Sequence, residues 1–166
     1  MPVTDISKDI ESRTIVITAE FAAPVERVWA LYADPRQLEK VWGPPRYPAT
    51  FVDHDLRTGA RTTYYMTSPE GERFAGYWDI TGVQEPQRFT FLDGFAHEDL
   101  TPNPDMPVCE NVFTFETVGG GTRAVYSSVY ATAEGLQTAL DMGVEEGATT
   151  AINQIDAFLS RDSVTS

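Results

Sequence analysis

The segment that most constrains the fold of this chain is its last long one, Ala133 to Leu159. Its apolar residues recur at helical spacing, and Gly143 and Gly147 fall in the same phase, so these positions share one face of a helix. At roughly 1.5 Å per residue the helix would be about 40 Å long, which is more than a connection between neighbouring strands needs. We therefore expect a long helix packed along a broad curved sheet, with a cavity between the two.

The first part of the chain predicts one strand followed by two short helices. Thr14 to Phe21 alternates and is rich in β-branched residues, which is typical of a strand. Helical spacing follows from Pro24 to Ala33, and Asp34-Pro35 ends this helix and can begin a second one over Arg36 to Val41. The sequence Trp42-Gly43-Pro44-Pro45 then requires a loop.

From Arg46 onward the pattern is that of an antiparallel meander. Strand-like runs are joined by short separators rich in glycine, proline and polar residues, so consecutive strands should be antiparallel. The exception is Ala96 to Pro107, a proline-rich acidic loop of twelve residues that we expect to cover one end of the cavity. The predicted strands are Tyr47 to Leu56, Ala60 to Thr67, Arg73 to Val83, Arg88 to Phe95, Val108 to Val118 and Thr122 to Thr132.

Length and composition predict a single domain. With 166 residues, of which 42% are hydrophobic and 11% aromatic, the chain is suited to one hydrophobic core. We expect residues 13–160 to form this domain, with Met1 to Ser12 as a flexible N-terminus and residues 161–166 as a flexible C-terminus.

The charge of the chain argues against several classes of partner. The 25 acidic residues outnumber the 12 basic ones and give a net charge of -13, which disfavours nucleic acids and anionic membranes. No apolar run approaches the roughly 18 residues of a membrane span, and no charged segment followed by an apolar one opens the sequence. Together with a single cysteine, Cys109, these features predict a cytoplasmic protein without membrane insertion.

Several segments give the chain a resemblance to a known family. They are Ala22 to Pro45, Asp55 to Met66, Gly76 to Phe91 and Gly120 to Ser128, followed by the helix that ends at Leu159. The chain resembles the START-like or birch-pollen-allergen-like (SRPBCC) superfamily, in the branch similar to the C-terminal domain of the activator of the heat-shock chaperone ATPase. The resemblance implies an α+β helix-grip fold, in which a curved antiparallel sheet of about seven strands wraps around a long C-terminal helix, with two short helices after the first strand.

Alternation along the predicted strands places aromatic and polar side chains on shared faces that would line such a cavity. A mixture of apolar rings with a few polar groups is typical of small-molecule sites, although the same rings could simply form the core. Likewise, the helical glycines either admit close packing or leave room for a ligand. The candidate ligand-binding residues are Trp42, Trp78, Phe91, Asp93, Asn111, Phe113, Phe115, Tyr126, Ser128, Tyr130, Leu140, Gly143 and Gly147.

Two residues are candidate catalytic acids or bases. Asp93 is in phase with three phenylalanines, where burial would raise its pKa, but Asp93-Gly94 could also be a turn with the carboxylate in water. His54 lies within a strand-like run, where it could transfer protons or serve a structural purpose.

The usual motifs for phosphate, dinucleotide or nucleophilic chemistry are missing from the sequence. Two histidines and one cysteine make a metal site improbable, so we expect no metal and no cofactor.

Three functions of different classes therefore remain as hypotheses. The first is a carrier or sensor that binds a hydrophobic small molecule, aromatic or lipid-like, in the cavity. The second is an enzyme similar to polyketide cyclases, and the third is an activator of a chaperone ATPase. Members of the superfamily use one scaffold for all of these, so the resemblance implies the scaffold more firmly than the function. An exposed first strand or helix could in addition support a homodimer.

Overall fold

The part of the chain that the structure describes is built on a single antiparallel sheet of eight strands. The computed structural model describes residues 2–165, and side chains as far as Ser160. The strands lie in the order β1-β2-β8-β7-β6-β5-β4-β3, so the chain meanders from β3 to β8 and the first two strands join beside β8. The strands are β1 (Val3–Asp9), β2 (Thr14–Phe21), β3 (Ala49–Asp53), β4 (Arg61–Thr67), β5 (Arg73–Gln84), β6 (Arg88–Phe95), β7 (Val108–Val118) and β8 (Gly121–Tyr130).

Within the described residues, five helices accompany the sheet, two after β2 and three at the C-terminal end. Their positions agree with the α+β helix-grip architecture that the sequence predicts, which is thereby confirmed. The bounds of β2, β6 and β7 coincide with the predicted strands, whereas β3 and the second helix are shorter than predicted. The helices are α1 (Val25–Ala33), α2 (Pro35–Leu38), α3 (Ala133–Asp141), α4 (Val144–Asn153) and α5 (Ile155–Thr165).

The N-terminal segment differs from its prediction as a flexible terminus, because Val3–Asp9 forms the edge strand β1. It pairs with β2 in an antiparallel register, and this strand raises the number from about seven to eight. Nearly all its side chains are exposed, so the sequence lacks the apolar alternation that identifies a half-buried strand. Two contacts join β1 to α4: the Val3 N–H donates to Asn153 Oδ1 at 3.1 Å, and Lys8 pairs with Glu145 at 2.9 Å.

The C-terminal helix also differs from its prediction, because it is divided into α3, α4 and α5. Gly143 adopts the left-handed conformation with φ at 83°, which ends α3 and turns the chain into α4. Helical spacing predicts that Gly143 belongs to a helical face, whereas in the structure its lack of a Cβ permits the left-handed turn. At the other end α5 continues to Thr165, past the predicted limit of the domain, and Met1 and Ser166 lie outside the described residues.

The aromatic part of the core lies between α1 and the inner face of the sheet. Phe89, Phe113 and Tyr126 stand opposite one another on β6, β7 and β8, and α1 lays Trp29 and Tyr32 across them. The Trp29 and Phe89 rings meet edge to face at 5.6 Å, and Tyr32 lies 5.9 Å from Phe113. Because these rings fill the sheet beneath α1, any open space must lie beneath α3 and α4.

Gly143 and Gly147 provide a matched test of the break between α3 and α4. We expect Gly143→Ala to lower the free energy of unfolding by about 1 kcal/mol, because alanine is strained in the left-handed region. Gly147→Ala should leave it unchanged or raise it by up to about 1 kcal/mol, because Gly147 has helical geometry and an added Cβ would come no nearer than 4.0 Å to Pro44. Urea unfolding of both variants measures the difference, and equal effects would contradict the break at Gly143.

Candidate functional site

A cavity of about 370 Å³ lies between the inner face of the sheet and the C-terminal helices. This volume is within the range of roughly 300 to 1,000 Å³ that small-molecule sites occupy. Its wall is mainly apolar, and its helical side carries only small or aliphatic side chains and Met142. The residues that line it from the helices are Ala139, Met142, Gly143, Val144, Gly147, Ala148, Ala151, Ile152 and Ile155.

Polar side chains form two neighbouring rows across the sheet side of the cavity. Asp93, Cys109 and Tyr130 stand opposite one another on β6, β7 and β8, and Asn111 and Ser128 form the next row. The Ser128 hydroxyl donates to Asn111 Oδ1 at 2.6 Å, and Asn111 Nδ2 donates to Cys109 Sγ at 3.4 Å. The side chains of Asn111 and Ser128 are therefore held in fixed positions at the cavity wall.

Asp93 is held by a tyrosine from two strands away. The Tyr64 hydroxyl on β4 donates to Asp93 Oδ1 at 3.3 Å, although β5 lies between their strands. Gly76 on β5 makes this reach available, since a Cβ at Gly76 would lie 2.5 Å from the Tyr64 hydroxyl. A glycine inside a strand often marks such a close approach, and here it lets a phenol cross the strand.

The cavity environment favours uncharged forms of its acidic groups. Burial raises the pKa of Asp93 to about 7, and the hydrogen bond from Tyr64 offsets only part of this effect. Burial likewise raises the pKa of Cys109 to about 12, so its thiol is protonated and weakly nucleophilic at neutral pH. The pKa values of Tyr64 and Tyr130 are also raised, chiefly by burial.

A hydrogen-bonded pair of phenols lies at the floor of the cavity. The hydroxyl groups of Tyr32 and Tyr126 share a hydrogen bond of 2.7 Å, which satisfies both in a buried position. Phe113 packs edge to face against Tyr126 with ring centroids 4.6 Å apart. This end of the cavity therefore presents rings without unpaired polar groups, whereas the Asp93 end presents a carboxyl group as well as rings.

The structure places nine of the thirteen sequence-predicted ligand-binding residues at the cavity wall and four away from it. Trp78 and Phe91 stack on each other at 4.3 Å inside the core, and Phe115 lies under α1, where it contacts Trp29. Leu140 is partly buried beside the core. The residues at the wall are Trp42, Asp93, Asn111, Phe113, Tyr126, Ser128, Tyr130, Gly143 and Gly147.

His54 lies outside the cavity wall and is fully engaged elsewhere. Its Nε2 donates to the Tyr32 carbonyl at 2.7 Å, and Nδ1 accepts from the Thr62 hydroxyl at 2.8 Å. Burial lowers the pKa of His54, so the neutral ring is favoured. These contacts join the end of α1 to β4, which is a structural position for this histidine.

Residues that the sequence analysis did not select complete the site. Tyr64 and Tyr32 are the most important, because each fixes a polar group of the wall. The alternation of Thr62, Tyr64 and Met66 along β4 was a usable signal for Tyr64. The approach over Gly76 had no comparable signal, since it depends on the sheet register.

Within the loop Ala96 to Pro107, Pro107 lines the cavity, and Ala96 and Pro102 form an isolated antiparallel β-bridge.

Among the described residues, no group of three or more His, Cys, Asp or Glu side chains is arranged to hold a metal ion. None of the described helices has both the length and the apolar character needed to cross a membrane.

The raised pKa of Asp93 predicts a specific pH dependence of stability. Because the folded state holds this proton up to about pH 7, whereas the unfolded carboxyl loses it near 3.8, the contribution of Asp93 to stability decreases as pH rises across this interval. We expect the free energy of unfolding of Asp93→Asn, relative to that of the native chain, to rise by on the order of 4 kcal/mol between pH 4 and pH 8. Urea unfolding at both pH values measures the gain.

Glu110→Gln is the matched control for this experiment, because Glu110 is exposed on β7 next to Cys109. Its stability relative to the native chain should change little between pH 4 and pH 8. The same flat profile for Asp93→Asn would show that the Asp93 carboxyl is hydrated, contrary to its position here.

Comparisons with known proteins agree with this architecture. A crystal structure of protein Ms6760 from Mycobacterium smegmatis is similar with 66% identity over 95% of this chain and 97% of that one, at a TM-score of 0.88. A solution structure of a protein from Arthrobacter aurescens is similar with 42% identity over 96% of this chain and 92% of that one, at a TM-score of 0.92. The AHSA1 protein from Silicibacter pomeroyi, at 22% identity, covers 90% of this chain and 99% of that one at a TM-score of 0.73 and shows the same fold.

A search of curated proteins finds no significant match. A family model, by contrast, matches residues 22–160, which include α1, the sheet from β3 to β8 and all the C-terminal residues that line the cavity. The chain therefore belongs to the family described as Activator of Hsp90 ATPase homolog 1-like protein.

Proposed function

We propose that this protein binds a hydrophobic small molecule, aromatic or lipid-like, between the sheet and α3–α4, and that it acts as a carrier or sensor. The observation that carries the proposal is the cavity of about 370 Å³, whose polar groups are gathered at one end of an otherwise apolar wall. Burial of an apolar ligand supplies affinity, at roughly 25 cal/mol for each Å² removed from water. The polar end would fix the orientation of the ligand.

The junction of α3 and α4 supports an entry route for such a ligand. Met142 lines the cavity and is 55% exposed, so it lies where the wall meets solvent. Gly143 follows it with a left-handed backbone, and neither residue is buried under another element. A flexible methionine beside a helix break is a suitable gate, because its side chain can change rotamer without disturbing the core.

A cyclase-like enzyme is the second candidate, and the hydrogen-bonded pair of Asp93 and Tyr64 favours it. A carboxyl group with a pKa of about 7 beside a phenol could move protons on a bound molecule. His54 contributes nothing to this candidate, since both its ring nitrogens are engaged outside the cavity. If the native protein converts a bound molecule, and Tyr64→Phe still binds this molecule but no longer converts it, the result would favour the enzyme over the carrier.

Chaperone activation ranks third, as a hypothesis taken from the family description alone. Within the described residues we find no surface feature that points specifically to a chaperone. Titration of the protein into an Hsp90 ATPase assay tests it directly, and we expect no stimulation.

The binding proposal predicts saturable binding of a neutral apolar probe. We expect 1-N-phenylnaphthylamine to bind with a stoichiometry of one, with a blue shift in its fluorescence. Gly147→Phe should abolish this signal, because a ring at position 147 would enter the cavity from α4. Fluorescence titration at pH 8 measures the effect.

Thr150→Phe is the matched control, since it places the same ring on an exposed position of α4. It should bind the probe as the native chain does, and circular dichroism should show that both variants are folded. Binding that survives in folded Gly147→Phe, or that is missing in the native chain, would contradict the proposal.

A further inference from the structure

The charges at the cavity wall are of one sign. Asp93 is the one Asp or Glu that lines the cavity, and no Lys, Arg or His joins it there among the described residues. A ligand carboxylate or phosphate would therefore meet no counter-charge, and it would be repelled by ionised Asp93. The protein as a whole, with a net charge of -13, likewise attracts cations.

The Asp93 carboxyl retains capacity for a further partner. In the described part of the chain, its one side-chain hydrogen bond comes from Tyr64 and is long, at 3.3 Å. Its neighbours in the same row, Cys109 and Tyr130, belong to the same wall. A carboxylate can accept several hydrogen bonds, so a donor from a ligand can complete its coordination.

Aromatic rings next to Asp93 suit a cation as well. Tyr64, which binds the carboxyl, packs edge to face with Trp42 at 6.0 Å, and both rings line the cavity. Phe95, two residues beyond Asp93, lines it too. Rings of this kind attract a cationic nitrogen through their negative faces, in addition to their apolar contact.

From this arrangement we infer that the ligand is an organic cation, with an apolar aromatic or acyl body and a protonated amine that pairs with Asp93. The inference rests on the proposed function and gives the ligand class. The body would lie against Phe113, Tyr126 and the small residues of α4, and the amine would lie at the row of Asp93, Cys109 and Tyr130. Carboxylates such as fatty acids would be excluded by the same geometry.

The pH dependence of such a complex follows from the groups that face Asp93. Tyr64 from β4, Cys109 from β7 and Tyr130 from β8 have raised pKa values and stay protonated up to pH 8. The residues of α3, α4 and α5 that line the cavity include no titratable side chain. Ionisation of Asp93, with its pKa of about 7, should therefore make amine binding stronger at pH 8 than at pH 6.

Three probes with one apolar body test the inference. We would titrate 2-naphthylmethylamine, 2-naphthalenemethanol and 2-naphthoate by calorimetry at pH 8, each also in competition with 1-N-phenylnaphthylamine. The amine should bind about tenfold or more tightly than the alcohol, since a charge-assisted hydrogen bond replaces a neutral one, and the naphthoate should bind weakest. Asp93→Asn should remove the preference for the amine and leave the affinity for the alcohol unchanged.

Glu110→Gln is the control, because it removes one negative charge next to Cys109 on β7 but on the opposite, exposed face of the sheet. It should keep the full preference for the amine. If the alcohol or the naphthoate binds as tightly as the amine, if Asp93→Asn keeps the preference, or if the amine does not displace 1-N-phenylnaphthylamine, the inference fails while the proposed function stands. If none of the four probes binds, the proposed function itself fails.

Discussion

The packing of α1 against the aromatic rows of the sheet is the constraint on which the rest of this structure depends. Trp29 and Tyr32 reach down onto Phe89, Phe113 and Phe115, where ring centroids lie 5.5 to 6.2 Å apart. This cluster fills the part of the curved inner face beneath α1, and the C-terminal helices add a few core side chains of their own. These helices lie over the remaining part of the face without filling it, which leaves the cavity.

Glycines and tyrosines shape what the cavity presents. Gly76 provides the space in which Tyr64 crosses β5 to reach Asp93, and Gly143 turns the chain between α3 and α4. The Tyr32 and Tyr126 phenols satisfy each other at the floor, so they add no unpaired polar atom there. The result is a pocket with an apolar end and a polar end, and the polar end holds a single ionisable carboxyl. That asymmetry underlies both the proposed function and the proposed charge of the ligand.

The sequence predicted the parts of this structure that local pattern controls. Alternation over Arg88–Phe95 and Val108–Val118 identified β6 and β7, and their phase placed Asp93 and Asn111 on the inner face. It did not predict β1, because an exposed edge strand such as Val3–Asp9 lacks an apolar face. Nor did it predict the helix break, because spacing alone does not separate a glycine in a helical face from one in a left-handed turn.

Within the site, the phase of a strand was not sufficient to separate wall from core. Phe91 and Asp93 are neighbours on one face, yet the first is buried against Trp78 while the second meets the cavity. The distinction depends on what packs above each position, since Phe91 shares its row with Asn111, which does line the cavity, and that is a property of the tertiary structure. His54 illustrates the same limit, since its two partners come from α1 and β4.

The location of a bound probe tests the central claim most directly. With 1-N-phenylnaphthylamine bound to isotope-labelled protein, we predict intermolecular nuclear Overhauser effects to the methyl groups of Val144 and Ile152 on α4 and of Met66 on β4, all of which line the cavity. Effects confined to exposed residues outside it, such as Ile10 and Val52, would contradict the account.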